Sequence, residues 1–131
     1  MLYKFYKLEA IEIKLSSVIP ALTKYLLEAQ FPESLEEIIL FGSYAKGLQH
    51  VGSDVDLALI FPDMYIVSPK ERSVIRAVLD DFDDSVQINI FCTTKSALIN
   101  ATKQLDANYW IHKEGVQLWK KSPTNTLAPA I

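Results

Sequence analysis

The sequence predicts an α/β (α+β) fold: a small mixed β-sheet flanked by helices. Three observations carry that prediction. Apolar runs near 37–41, 55–61 and 86–91 have the length and β-branched content of strands. The segments around them repeat apolar residues every three or four positions, the period of a helix packed on one side. Proline- and serine-bearing breaks, such as Phe31-Pro32-Glu33-Ser34 and Pro62, punctuate the runs.

Taken in order, Leu8, Ile11, Leu15, Val18, Leu22, Tyr25, Leu26 and Ala29 define a helical stripe. Pro20 interrupts it. Either the helix kinks there, or a separate helix starts near Ser17 with Pro20 in its first turn. Alternation through Ile11, Ile13 and Leu15 leaves a strand open as the reading before Ser16. Glu37 to Phe41 is the first clear strand, and Val55 to Phe61, stopped by Pro62, is the second. Ser68-Pro69-Lys70-Glu71 starts a helix: an N-cap serine, proline at the first helical position and a glutamate that closes a capping box. Val74, Ile75, Val78, Leu79 and Phe82 form its expected apolar face. Asp80, Asp81, Asp83 and Asp84 crowd its C-terminal end, where the helix dipole disfavours acids.

Val86 to Phe91 alternates and predicts a third strand. Thr94 to about Trp110 predicts one helix, with Ala97, Leu98, Ala101, Leu105 and Trp110 as core positions. Gly115 stops it, and Val116 to Trp119 predicts a short last strand. The 131 residues fit one domain, expected over 1–121, with 122–131 as a flexible tail.

Half of the residues are apolar, enough for a real core. Sixteen acids against 13 bases give a net charge of -3, and the bases are scattered, so no nucleic-acid partner is expected. No apolar run reaches the ~18 residues of a membrane span, and the N-terminus lacks a signal-type apolar core. The one cysteine, Cys92, has no internal disulfide partner and is expected to be an inert core thiol. Together these features predict a cytoplasmic protein without a membrane segment.

Function is written mainly in residues 38–61. An apolar strand runs into Gly42-Ser43, a loop carries Lys46, Gly47 and His50, and the next strand opens Ser53-Asp54-Val55-Asp56-Leu57. In a strand, residues i and i+2 project from one face, so Asp54 and Asp56 aim at one point while Val55 and Leu57 face the core. Paired hard oxygen donors beside a phosphate-sized turn are what Mg2+-assisted phosphoryl chemistry requires. Small residues at such a turn are common, and an ordinary alternative is that Asp54 caps the loop and Asp56 sits at a strand edge. His50 reads as a solvated loop histidine, and His112 as a surface or capping group near a helix end. Trp110, Trp119, Tyr3, Phe5 and Tyr6 read as core or interface residues.

The combination Gly42-Ser43-Tyr44-Ala45-Lys46-Gly47 followed by Ser53-Asp54-Val55-Asp56-Leu57 resembles the signature of the DNA polymerase β-like nucleotidyltransferase superfamily, and above all its minimal nucleotidyltransferases. The stretch Ile111-His112-Lys113-Glu114-Gly115-Val116-Gln117-Leu118-Trp119 resembles that family's closing segment. The resemblance implies a nucleotidyltransferase fold in which Gly42, Ser43, Lys46 and Ser53 bind an NTP. It implies that Asp54 and Asp56 hold two Mg2+ ions in an active enzyme, and that a nucleotidyl group, AMP by expectation, moves to an acceptor with release of pyrophosphate.

Two departures stand out. Lys46 replaces the usual Arg, keeping the charge and losing the bidentate fork. Active relatives also carry a third carboxylate on the later strand, where this chain offers Gln87 or Asn89. An amide can ligate Mg2+ but cannot take the nucleophile's proton. Asp83 and Asp84 substitute only if the strand begins earlier. The resemblance further implies a helical HEPN-type partner in a toxin–antitoxin pair, with AMP transferred to a tyrosine of the toxin, and leaves no room here for an acceptor-holding domain. A homodimer is the other expected assembly. A non-catalytic module that works by protein–protein contact is the second reading, which Gln87 and Asn89 favour. An antibiotic nucleotidyltransferase is the third, disfavoured for lack of an acceptor domain.

Overall fold

A computed structural model describes residues 17–50 and 52–122 of the chain. The reading of a strand before Ser16 and the aromatic cluster at residues 3–6 lie outside the described residues, as does all of the expected tail beyond Ser122. From residue 17 the chain is helical to residue 28 (α1), running through Pro20 without a break. The remaining elements are β1 (Glu37–Phe41), α2 (Ser43–Lys46), β2 (Val55–Phe61), α3 (Pro69–Asp80), β3 (Ile88–Thr94), α4 (Lys95–Asn100), α5 (Ala107–Glu114) and β4 (Val116–Lys120).

The four strands form one mixed sheet in the order β3-β2-β1-β4. β1 is antiparallel to both β2 and β4, whereas β2 and β3 are parallel and joined through α3. Alternation along β2 divides the core in two. Val55, Leu57, Leu59 and Phe61 face one way and pack with Ile38 and Leu40 against Val18, Leu22 and Leu26 of α1 and Ile75 and Leu79 of α3. Ala58 and Ile60 face the other way and pack with Ile39 against Leu98 of α4 and Ile111 of α5. Burying both faces of β2 explains why it reads as a near-continuous apolar run.

The capping box of α3 forms as its sequence dictates. Ser68 accepts from the Glu71 backbone N–H at 3.1 Å, and Glu71 accepts from the Ser68 N–H at 3.0 Å, with Pro69 at the first helical position. The expected face of α3 needs one correction: Ile75 and Leu79 are buried, but Val74 is 42% exposed. The third strand also shifts. It starts at Ile88 rather than Val86, because its pairing with β2 starts at Val55↔Ile88, and it continues to Thr94.

The single helix expected over 94–110 is two helices. Ala101 turns to extended backbone with ψ 126°, and Asp106 starts α5 by accepting from the Asn108 N–H at 2.9 Å. Leu105 falls in the intervening turn and is fully exposed, not core, and Trp110 is only half-buried. Gly115 ends α5 where a Cβ would strike the Ile111 carbonyl and the Ile39 side chain.

Candidate active site

The two aspartates sit at the start of β2, one of the two inner strands of the sheet, with Asp54 just before it and Asp56 within it. Alternation puts Asp54 and Asp56 on the same side as Ala58 and Ile60. The α4–α5 layer covers Ala58 and Ile60, whereas both aspartates are only half-buried. Val55 and Leu57, their neighbours, are fully buried on the opposite side. The carboxylates are thus anchored by core residues and open to the surface.

Asn89 lies directly across from Asp56 in the parallel register. Its side-chain Nδ2 donates to Asp54 Oδ2 at 3.1 Å and to Asp56 Oδ1 at 3.1 Å. Of the two amides that the sequence left open, Asn89 reaches the pair; Gln87 precedes β3 and joins through its backbone carbonyl, which accepts from the Val55 N–H at 2.8 Å. Among the described residues no third His, Cys, Asp or Glu joins the aspartates in a metal-holding cluster. Asp83 and Asp84 do not substitute. They occupy the turn before β3, where Asp83 Oδ1 accepts from the Ser85 N–H and hydroxyl.

Gly42 closes the site from the β1 side. Its backbone has φ 76° and ψ -156°, a region essentially reserved for glycine. A Cβ there would lie 3.1 Å from Asp56 Cγ and closer still to Oδ2. The absence of a side chain therefore lets the turn and the carboxylate approach each other. Ser43 begins α2, a single turn whose buried Tyr44 anchors it in the core and whose Gly47 adopts the left-handed conformation that ends it. Within α2 the Ala45 and Lys46 N–H groups both donate to the Gly42 carbonyl, at 3.1 and 3.3 Å, so only the start of the turn, at Ser43 and Tyr44, is placed to meet an anionic group.

Ser53 and Lys46 serve the frame in this structure. Ser53 accepts from the His50 N–H at 2.9 Å while its own N–H donates to the His50 carbonyl at 2.9 Å, which closes the loop before β2. Lys46 pairs with Glu114 at 3.5 Å and lies 5.4 Å from the centre of the Trp110 ring. Glu114 and Trp110 are neighbours of the site that the sequence reading did not assign. Their signal was the Lys113-Glu114-Gly115 stretch, now tied through α5 to the Gly42–Gly47 turn. His112 is exposed in the last turn of α5, and His50 is exposed in its loop. Cys92 is half-buried within β3, and burial pushes its thiol pKa up, with Arg72 opposing, which disfavours the reactive thiolate.

The family described as Nucleotidyltransferase domain matches residues 22–113, from within α1 to within α5, a span that includes Gly42, Ser43, Lys46, Ser53, Asp54, Asp56 and Asn89. The chain belongs to that family. Two solved structures carry the same fold. One is a toxin–antitoxin complex with AMP-PNP, 25% identical, TM-score 0.52, matching 83% of this chain and 78% of that one. The other is a mutant of the toxin–antitoxin pair MntA-HpeT, 22% identical, TM-score 0.50, with the same 83% and 78% coverage. No curated protein matches the chain. Within the nucleotidyltransferases it is a minimal member, a four-stranded mixed sheet flanked by helices. No helix among the described residues is long and apolar enough to cross a membrane.

Proposed function

We propose that this chain binds an NTP with Mg2+ at Asp54 and Asp56 and transfers its nucleotidyl group, AMP by preference, to a partner protein, with turnover held low by Asn89. The observation that carries the reading is convergence: one amide nitrogen, Asn89 Nδ2, lies 3.1 Å from an oxygen of each carboxylate. Two hard oxygen donors aimed at one point fit Mg2+, which takes one or two carboxylates and completes its shell with substrate phosphates and water. When bound there, the ion supplies charge stabilisation for the attacking and leaving oxygens.

The remaining work falls to the chain. Gly42 allows close backbone approach, and the Ser43 hydroxyl and the first turn of α2 hold phosphate oxygens. An acceptor hydroxyl oxygen bonds to the α-phosphorus, the bond to the bridging oxygen breaks, and pyrophosphate leaves. The acceptor's proton passes to solvent, because the Asn89 amide cannot accept it. The likeness to a toxin–antitoxin protein solved with AMP-PNP supports an adenine nucleotide and a protein partner. The resemblance of the Gly42–Leu57 signature to the minimal nucleotidyltransferases is what points to a helical HEPN-type partner with a tyrosine acceptor.

The test is calorimetric titration of NTPs with Mg2+ against the folded Asp54→Asn/Asp56→Asn variant, alongside transfer of labelled NMP to a co-purified partner. Binding should vanish in the variant without unfolding, since both residues are half-exposed. Unchanged binding sinks the assignment. Asn89→Asp should raise turnover about tenfold, or ~1.4 kcal/mol of barrier.

The same amide favours a second reading. Asn89 meets the carboxylates with a neutral donor, an arrangement suited to a protein that acts on its partner by contact alone. Labelled transfer that stays absent in wild type and in Asn89→Asp selects this reading.

A further inference from the structure

Two carboxylates on one strand face repel unless something positive lies between them. Here a neutral side chain takes that place. Asn89 Nδ2 has two N–H bonds, and both are used, one on Asp54 Oδ2 and one on Asp56 Oδ1 at 3.1 Å each. The pairing Asp56↔Asn89 fixes the amide opposite the carboxylates, and buried Ile88 holds the strand beside it.

The two ends of an amide are opposite in sense. The NH2 group only donates, and the carbonyl oxygen only accepts. A divalent cation between the aspartates takes oxygen ligands and repels an N–H. We infer that Asn89 is a two-position element of the site: Nδ2 turned inward as a stand-in cation when the site is free, and Oδ1 turned inward as a ligand when a cation and nucleotide occupy it. The inference rests on the cation site assigned above to Asp54 and Asp56. The exchange is a half-turn of the terminal amide torsion, which is soft and moves no backbone.

Two consequences follow. A cation arriving alone must displace two hydrogen bonds to charged groups, so it binds weakly; with an NTP, phosphate oxygens offset that loss. The cation-free site is also stable as it stands. Replacing Asn89 by Asp removes both hydrogen bonds, adds a third carboxylate and makes the site dependent on a cation.

The experiment reads side-chain amides by 15N–1H NMR, with the Asn89 pair assigned by its disappearance in Asn89→Ala. Spectra are taken in EDTA, in Mg2+ alone, and in Mg2+ with AMP-PNP. In EDTA the Asn89 protons should lie downfield and exchange slowly. With Mg2+ and AMP-PNP they should move upfield, with exchange about tenfold faster once two N–H bonds to charged oxygens are released. By calorimetry, Mg2+ alone should bind Asn89→Asp about tenfold more tightly than wild type, roughly the worth of one hydrogen bond to a charged group. In melts, Mg2+ should raise the Tm of Asn89→Asp more than that of wild type. Asn89 protons that stay fixed while cation and nucleotide bind overturn the inference and leave the proposed function standing. So does an Asn89→Asp variant with wild-type Mg2+ affinity. A wild type that binds neither probe overturns both.

Discussion

Replacing Gly42 by alanine should damage stability and the site together, through one methyl group. The backbone at Gly42 has φ 76° and ψ -156°, and a side chain in that region costs about 1–3 kcal/mol. The new Cβ would also sit 3.1 Å from Asp56 Cγ and closer to Oδ2, so the carboxylate must give way. Asp56 is not free to swing, because Asn89 holds it at 3.1 Å and its own backbone lies in an inner strand. Overpacking of this kind adds about 1–3 kcal/mol. The total is about 4 kcal/mol, or roughly 15 °C in Tm for a domain of this size. On the proposed function, displacing the Asp56 carboxylate by ~1 Å should also cost on the order of 100-fold in turnover or nucleotide affinity.

Gly47 is the internal control. It too has positive φ, at 71°, but a Cβ there meets nothing within 4 Å. Gly47→Ala should therefore cost only ~1 kcal/mol and leave nucleotide binding intact. Urea melts and calorimetry on both variants decide the matter. Equal losses in the two, or a Gly42→Ala variant that binds as wild type, would refute the close approach of the turn to Asp56.

Glu71 should make the fold acid-sensitive. The Ser34 hydroxyl, then the Tyr65 hydroxyl, then the Ser68 N–H hold its carboxyl down to about 2 from 4.5. A depressed folded pKa stabilises above the unfolded value, and that stability drains as pH falls from about 4.5 toward 2. Urea midpoints should fall over that window in wild type and stay flatter in Glu71→Gln; parallel curves count against the assignment. Leu59→Ala, at a fully buried position of β2, should cost about 3 kcal/mol, whereas Val74→Ala, at a 42% exposed position, should change stability by less than ~0.5 kcal/mol. Similar losses in both would restore Val74 to the core.

The parts of the fold that the sequence announced are those where local and tertiary demands agree. β1 and β2 are apolar runs bounded by breakers, and the Ser68–Glu71 box satisfies its own backbone groups within one turn. β3 was displaced by two residues because its start is set by its partner strand, which periodicity in Val86–Phe91 alone does not encode. The break at 101–106 was hidden because Ala-Thr-Lys-Gln-Leu contains no strong helix breaker; only Asp106, an N-cap, marks the second start. At the site, the Asp-x-Asp spacing was legible because a strand's two-residue period converts directly into shared direction. The choice between Gln87 and Asn89 was not, since both share a parity and only the cross-strand register separates them. Nor was the pairing of Lys46 with Glu114, which joins segments far apart in sequence.

That cross-strand register gives the molecule a way of exposing its own assembly errors. Sliding β3 by one residue along β2 would set Ile88 or Ile90 against Asp56 in place of Asn89. An apolar group would then face two carboxylates, and Asn89 would be driven toward the α1–α3 core. Misthreading of the parallel edge is therefore penalised twice, once in the core and once at the polar mouth. On the proposed function, a copy that binds nucleotide at Asp54 and Asp56 has threaded β3 in the right register, so nucleotide-affinity capture should select correctly assembled protein from a refolding mixture.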